Sequence, residues 1–220
     1  MKEVNVAVLP GDGIGKEIMA ACLKLLDKVQ SKVGGYSLNY KTVDAGAEFY
    51  VRTGIDITDS DFRACGEADA ILFGAMGLPD VFFKDGTEIA PHLKIRDTYG
   101  LYAGVRPVKA YPNTPIMLAD ERAKNIDFVI LRESTEGMFA SRGKGEVIND
   151  SVARDTMEIT RATSEKLFDF AFKLARKRKA QGSKGEVTCV DKSNVFRSFA
   201  FFRKIFGERA LLNPDIVASH

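Results

Sequence analysis

The sequence is short of cysteine and histidine, carries no excess of either charge, and contains no long apolar run. Its 220 residues include three cysteines and two histidines. Cys22, Cys65 and Cys189 are odd in number and widely spaced, which excludes a disulfide framework and a CxxC site and suits a reducing, cytoplasmic compartment. His92 and His220 are too few for a histidine-rich zinc or iron site, so any metal would take oxygen ligands. The 32 basic and 30 acidic residues leave a formal charge of +2. That balance advertises no nucleic-acid partner. No stretch approaches the roughly 18 apolar residues that cross a bilayer, so no membrane partner is expected. The opening residues, Met1 to Pro10, are too short and too polar for a signal peptide. What the chain does have is an apolar content of 45%, normal for a globular protein, and length for one large domain or one and a half ordinary ones.

The patterning is that of an α/β protein. Val4 to Leu9 is a β-branched run broken by Pro10-Gly11-Asp12-Gly13-Ile14-Gly15, after which Ile18, Cys22, Leu25, Leu26 and Val29 recur at helical spacing to Ser31. Tyr36 to Val43 alternates as a strand. Ala47 to Cys65 reads as two short helices parted at Gly54, with Thr58 or Ser60 capping the second. Ala68 to Phe73 is another strand, closed by Gly74 and Gly77. Such a succession predicts a largely parallel sheet with helices on its faces. Leu78 to Asp97 reads as a long polar loop. Leu101 to Val105, Phe128 to Leu131 and Val187 to Val190 are further strands, and Gly137 to Ile159 reads as an extended arm. Thr160 or Thr163 caps a helix reaching Lys179. Val195 to Phe206 is a phenylalanine-rich helix stopped by Gly207, and Asp215 to Ala218 begins another strand. A chain that halts inside Ile216-Val217-Ala218, with no linker, reads as a disordered tail or as part of a longer polypeptide.

Three features carry chemistry. The glycine loop after the first strand suits close approach of backbone to a phosphate at a helix N-terminus. Its spacing is GDGIG, however, not GxGxxG, and Asp12 would repel an anion, so a ligand loop and a simple tight turn both remain open. Arg96, Arg106 and Arg132 each follow apolar residues. A guanidinium cannot shed its charge, so an arginine at the end of a buried strand requires an anion. Together the three suit a small polycarboxylate held through bidentate hydrogen bonds, against internal pairing with Asp97, Glu133 or Glu136. Lys192, after Val187-Thr188-Cys189-Val190-Asp191, is a candidate base if partly desolvated, or an ordinary lysine paired with Asp191. The basic run Arg176 to Lys179 complements a helix dipole. Phe196, Phe199, Phe202 and Phe206 suit core or interface packing, and Cys22 and Cys189 read as inert core thiols.

Five motifs in order, Leu9 to Gly15, Ile95-Arg96, Leu101-Tyr102-Ala103-Gly104-Val105-Arg106-Pro107, Leu131 to Gly137 and Val190 to Val195, resemble the metal-dependent β-decarboxylating dehydrogenases of 2-hydroxy acids. That family includes the isopropylmalate, isocitrate, tartrate and D-malate dehydrogenases, and the likeness runs from residue 4 to the last residue. The resemblance implies an isopropylmalate-dehydrogenase-like doubly wound α/β sheet with a second α/β domain and a dimerisation arm, incomplete at its C-terminus. The boundaries it implies are a cofactor-side domain over 1–101 and a second domain over 102–220, with the arm around 137–159. It further implies a homodimeric oxidoreductase that uses NAD or NADP and Mg²⁺ or Mn²⁺ to oxidise and decarboxylate a small 2-hydroxy di- or tricarboxylic acid. Arg96, Arg106, Arg132 and His92 would bind substrate. Lys192 would take the hydroxyl proton, reaching into the neighbouring subunit's site. Gly11, Asp12, Gly13, Ile14, Gly74, Glu88 and Asn194 would border the cofactor.

The likeness also has departures. Phe139 stands where the family has a tyrosine that protonates the enol, and phenylalanine offers no proton. The family's metal-binding aspartates fall beyond residue 220, so no metal ligand is assigned within the chain, and the 220 residues alone are expected to be inactive. The segment Ala90 to Ile95 lacks the paired leucines that hold an isopropyl group and the serine and asparagine that read isocitrate. His92 there suits a polar substituent, as in tartrate or malate. The alternative is a non-catalytic relative: a regulatory subunit or carboxylate-binding module.

Overall fold

A computed structural model describes residues 2–220. The chain divides into two compact units, one ending at Tyr99 and the other beginning at Gly100.

In the first unit the order is β1 (Lys2–Leu9), α1 (Ile14–Val33), β2 (Tyr36–Thr42), α2 (Ala47–Thr53), α3 (Asp59–Glu67), β3 (Ala70–Phe73) and α4 (Pro91–Thr98). The three strands form a parallel sheet in the order β2-β1-β3. Central β1 is covered on both faces, which is why Val6 to Leu9 is uniformly apolar rather than alternating. Val6 and Val8 pack with Met19 of α1. Ala7 and Leu9 face the other way, toward Val43, Ala45, Ile57, Cys65 and Ile95. Punctuation follows the sequence: Gly54 ends α2 in the left-handed conformation at φ 81°, and the Thr58 hydroxyl caps α3 by accepting from the Asp61 amide at 3.1 Å.

One expectation fails here. The segment read as loop to Asp97 contains the helix α4, begun by Pro91 at a position where its missing N–H costs nothing. Its buried residues are only Pro91 and Ile95, too sparse a stripe to reveal a helix of eight residues.

The second unit runs β4 (Ala103–Lys109), β5 (Asp127–Glu133), β6 (Glu146–Ile148), β7 (Val152–Arg154), α5 (Arg161–Lys179), β8 (Glu186–Thr188), α6 (Arg197–Leu211) and β9 (Val217–Ser219). β8 and β9 are parallel, whereas β4 and β5, whose pairing the sequence left unassigned, are antiparallel. The connection from β4 to β5 holds only a 3-10 turn at Glu121–Asn125 and no crossover helix. Helix α5 starts at Thr160, whose hydroxyl accepts from the Thr163 amide at 3.3 Å. Its Phe168, Phe172 and Ala175 form the core with Cys189, Ile205, Phe206 and Ile216.

The basic end of α5 is engaged internally. Arg176 pairs with Asp215 at 2.7 Å, and Arg178 pairs with Asp127 at 2.7 Å. Gly207 does not stop α6, which continues to Leu211. A mid-helix glycine costs only about 1 kcal/mol, and the Arg209 to Asp169 pair at 2.7 Å ties the following turn to α5. The segment read as an extended arm folds back on itself. A 3-10 turn at Met138–Ser141 leads into the β6–β7 hairpin, and paired backbone bonds between Gly137 and Glu158 close its base. Among the described residues, no helix is long and apolar enough to cross a membrane.

Candidate functional site

The glycine loop is built differently from a phosphate cradle. A Cβ on Gly11 would stand 1.9 Å from the Ala75 carbonyl oxygen, one on Gly15 2.4 Å from it, and one on Gly74 2.1 Å from the Pro10 carbonyl oxygen. These glycines exist so that the segments after β1 and β3 can lie backbone against backbone, with the Asp12 amide donating to the Ala75 carbonyl at 2.8 Å. Asp12 is not a free anion at the mouth of the loop. It is buried at 2% exposure, and its carboxylate accepts from the Ala47, Glu48 and Gly77 amides at 2.9, 2.8 and 2.8 Å. The first two amides belong to the start of α2, where a carboxylate also complements the positive end of the helix dipole.

The donor at the start of α1 is likewise taken: the Gly13 amide donates to Glu48 at 3.1 Å, and Glu48 pairs with Lys16. The Lys16 ammonium, and then the Gly13 amide, hold the Glu48 carboxyl below its ordinary range. Glu48 was not foreseen; its only sequence signal is an acid in the first turn of the helix after Gly46. What stays accessible is Gly13, with only the Leu78 side chain near its Cβ position, and Ile14, 60% exposed. Glu88 is exposed on the same rim, its carboxylate 3.1 Å from a Cβ placed on Gly77. Beside the loop, a recess of about 390 Å³ is lined by Pro10, Gly11, Met19, Leu23 and Val43, among others. The recess is mainly apolar, with Lys16 and Asp44 also in its lining.

His92 and Arg96 are four residues apart on α4 and so share one of its faces. The His92 ring packs on Phe73 with centroids 5.4 Å apart. Arg96 therefore stands on a helix, not at a strand end as the sequence suggested. Arg106 and Arg132 also depart from that expectation, since they lie within β4 and β5. The register pairs Arg106 with Ile130 and Gly104 with Arg132. Alternation then puts both arginines on one face of the ribbon as diagonal neighbours, with Gly104 leaving space beside Arg132.

The carboxylates nearest in sequence are used elsewhere. Glu133 accepts from the Thr135 and Glu136 amides at 2.7 and 2.8 Å, and Glu136 accepts from the Thr160 amide at 2.8 Å. Among the described residues, neither Arg106 nor Arg132 forms an ion pair; Arg132 instead lies over the Phe139 ring, 5.6 Å from its centroid. Two exposed guanidinium groups thus lie on one face without internal counter-ions, a fixed positive patch of the geometry that bidentate carboxylate recognition uses.

Lys192 and Asn194 are exposed on the loop between β8 and α6. The desolvation expected for Lys192 is thus not supplied by the chain, and its expected partner Asp191 is committed to Arg203 of α6 at 2.8 and 2.9 Å. Burial would push the Asp191 carboxyl up; the Arg203 guanidinium, the Ser193 amide and hydroxyl and the Cys189 thiol outweigh it and hold it at about 2. Burial, then the hydrogen bond to Asp191, pushes the Cys189 thiol up to about 12, so it is no nucleophile. Cys65 is also buried, whereas Cys22 is partly exposed rather than a core thiol. Among the described residues, no group of three or more His, Cys, Asp or Glu side chains could hold a metal ion.

Comparison with known proteins gives a consistent result. The sequence profile described as isocitrate/isopropylmalate dehydrogenase matches residues 5–220. The chain is 36% identical over 215 residues to the 3-isopropylmalate/3-methylmalate dehydrogenase of Methanocaldococcus jannaschii, covering 97% of this chain and 59% of that protein. A crystal structure of a Thermus thermophilus protein superposes with a TM-score of 0.82 at 32% identity, over 98% of this chain and 40% of that one. Isocitrate dehydrogenase from Methylococcus capsulatus superposes with a TM-score of 0.81 at 25% identity, over 100% of this chain and 60% of that one. The chain spans about 60% of the length of the curated relatives it matches.

Proposed function

Because the chain belongs to the isocitrate/isopropylmalate dehydrogenase family and has that family's α/β fold, we propose that it is the substrate-binding and base-bearing part of an NAD(P)-dependent dehydrogenase that oxidises and β-decarboxylates a small 2-hydroxy polycarboxylic acid. The observation that carries this reading is the unneutralised pair Arg106 and Arg132 on one face of the β4–β5 ribbon. Each guanidinium grips a carboxylate through two parallel hydrogen bonds, fixing the acid's orientation. Arg96 and His92 on α4 are assigned to the substrate by the same reading, and His92 favours an acid with a polar substituent, such as malate or tartrate.

Lys192 removes the hydroxyl proton as the carbon is oxidised. Its exposure supports a lysine that serves the neighbouring subunit of a homodimer, with the 137–159 hairpin as the dimerisation arm. The domain boundary that accompanies this reading falls near residue 101. NAD(P), when bound, supplies the hydride acceptor. Gly11, Asp12, Gly13, Ile14, Gly74, Glu88 and Asn194 are the residues assigned to its nicotinamide side. Of these, Gly13, Ile14 and Glu88 offer accessible atoms, while Gly11, Gly74 and Asp12 hold the loop in shape. The described residues offer no cage for Mg²⁺ or Mn²⁺, so the divalent ion of this family would draw its ligands from elsewhere, and no step is assigned to it.

Phe139 favours one further reading. It places a ring without a proton donor against Arg132, as expected of a relative that binds the polycarboxylate without turning it over. A single assay separates the two. The protein at the full length of its curated relatives is incubated with NAD⁺ or NADP⁺, Mn²⁺ and each of D-malate, tartrate, isopropylmalate and isocitrate, and absorbance at the reduced-nicotinamide band is followed. The dehydrogenase reading predicts reduction with at least one acid, lost with chelator and lost in Lys192→Gln. Acid binding without reduction supports the non-catalytic relative, and turnover that survives Lys192→Gln overturns the assigned base.

A further inference from the structure

The loop that presents Lys192 is held by a device in which the lysine's own side chain takes no part. Asp191, the preceding residue, has a fully buried side chain. Its acceptor capacity is used inward: Arg203 donates to both carboxylate oxygens at 2.8 and 2.9 Å, the Ser193 amide donates at 2.7 Å, and the Cys189 thiol donates at 3.4 Å. The backbone on the other side is fixed as well, because the Lys192 carbonyl accepts from the Val195 and Phe196 amides at 3.0 and 3.2 Å at the entrance to α6. Upstream, the Cys189 amide donates to the Ser219 carbonyl at 2.9 Å, continuing the β8–β9 pairing into the loop. The turn is therefore rigid while the lysine side chain stays in solvent.

Asp191 is the carboxylate adjacent to Lys192 in sequence, within reach of its long flexible side chain if both turn to solvent. Here the carboxylate is turned into the protein, and the two-pronged guanidinium fork of Arg203 is what turns it. We propose that Arg203 is a positioning residue for Lys192: by sequestering Asp191 it holds the loop in place and denies the amine its nearest carboxylate. The amine is thereby kept available to take a proton. This deepens the proposed function and rests on its assignment of Lys192 as the base. Arg203 itself, on α6, acts only through Asp191.

With Arg203 removed, Asp191 keeps the Ser193 amide and the Cys189 thiol but loses its counter-charge; a buried carboxylate without a counter-charge is costly, and rotation of Asp191 toward solvent and Lys192 relieves it. An opposite charge close to an amine favours its protonated form, and at an exposed position the effect is screened to about fivefold or less. Acetylation of Lys192 should therefore slow by about two- to fivefold.

The test reads the amine, not turnover. The full chain is labelled with trace acetic anhydride at mildly alkaline pH, and acetylation of Lys192 is followed by peptide mass spectrometry, with exposed Lys84 and Lys144 as internal standards. Arg203→Gln should slow labelling of Lys192 about two- to fivefold relative to the standards. Asp191→Asn in the Arg203→Gln background should restore it, since the neutral amide cannot attract the amine. Arg203→Lys, which keeps the charge but not the fork, should fall between. Labelling that is unchanged in Arg203→Gln, or not restored by Asp191→Asn, overturns the proposal. If Arg203→Gln fails to fold, Arg203→Lys decides: a wild-type labelling rate overturns it. The labelling result stands whether or not the protein reduces NAD(P)⁺, so failure of this proposal and failure of the proposed function remain distinguishable.

Discussion

Asp12→Asn should destabilise the first unit by about 3 kcal/mol, chiefly by breaking the knot that holds the glycine loop. The native carboxylate has one oxygen shared by the Ala47 and Gly77 amides and the other taken by the Glu48 amide. Asparagine keeps a single oxygen. Placed at the shared position, it serves Ala47 and Gly77 but points its NH₂ at the Glu48 amide, donor against donor; the opposite rotamer fails two amides instead of one. The better rotamer forfeits one charge-assisted hydrogen bond, worth roughly 1.5–3 kcal/mol, and weakens the other two by roughly 0.5–1 kcal/mol each. Against a typical total stability of about 5–15 kcal/mol, that is a large loss. Urea unfolding followed by far-UV circular dichroism measures it, and hydrogen exchange locates it, with the Ala47, Glu48 and Gly77 amides accelerating first. A cost below about 0.5 kcal/mol, far under the value of one such bond, would refute the reasoning, as would unchanged exchange at those three amides.

Three further outcomes follow from the same geometry. Gly66→Ala should destabilise despite a helix-propensity gain of up to about 1 kcal/mol, because the new methyl stands 2.2 Å from the Tyr99 ring, which is held by stacking on Phe62 and by a 2.7 Å hydrogen bond to its carbonyl. Thermal unfolding checks it, and a raised midpoint would show that the ring yields freely. Asp191 is held at about 2, below the ordinary 3.8. Its contribution is therefore present above pH 3.8 and is lost as pH falls toward 2, by about 2 kcal/mol at most. Urea midpoints between about pH 5 and 2 should fall less steeply in Asp191→Asn than in the wild type, and parallel slopes would contradict the assignment. Thr160→Ala removes the cap of α5 and should cost about 1 kcal/mol by the same urea measurement; a midpoint equal to that of the wild type would show the cap to be idle.

Much of this architecture is legible in the residues. The strand, glycine turn and helix at the start, the break at Gly54 and the caps at Thr58 and Thr160 are local signals, and local physics decides them. What escaped is what distant partners decide. Helix α4 shows too little apolar periodicity to be seen. Gly207 looks like a stop until the Arg209 to Asp169 bridge is known to carry α6 past it. The antiparallel pairing of β4 and β5 depends on a connection whose only regular feature is a 3-10 turn. At the site, Arg106 and Arg132 do share one ribbon face without internal counter-ions, although they lie within their strands rather than at the ends. In the glycine loop, the close approach of Gly11 and Gly15 to Ala75 and the seating of the Asp12 carboxylate on the amides of α2 escaped, because each depends on a partner distant in sequence. Glu48 and Arg203 could not be singled out, since each matters only through a residue far from it in sequence.

The central claim is that Arg106 and Arg132 form one polycarboxylate grip, and calorimetric titration with D-malate at low and moderate salt tests it most directly. The account predicts binding that weakens with salt and falls at least about tenfold in Arg106→Met and in Arg132→Met, as the loss of one charged hydrogen-bonded contact implies. Equal affinity in the wild type and both variants, or no binding by the wild type, would contradict it.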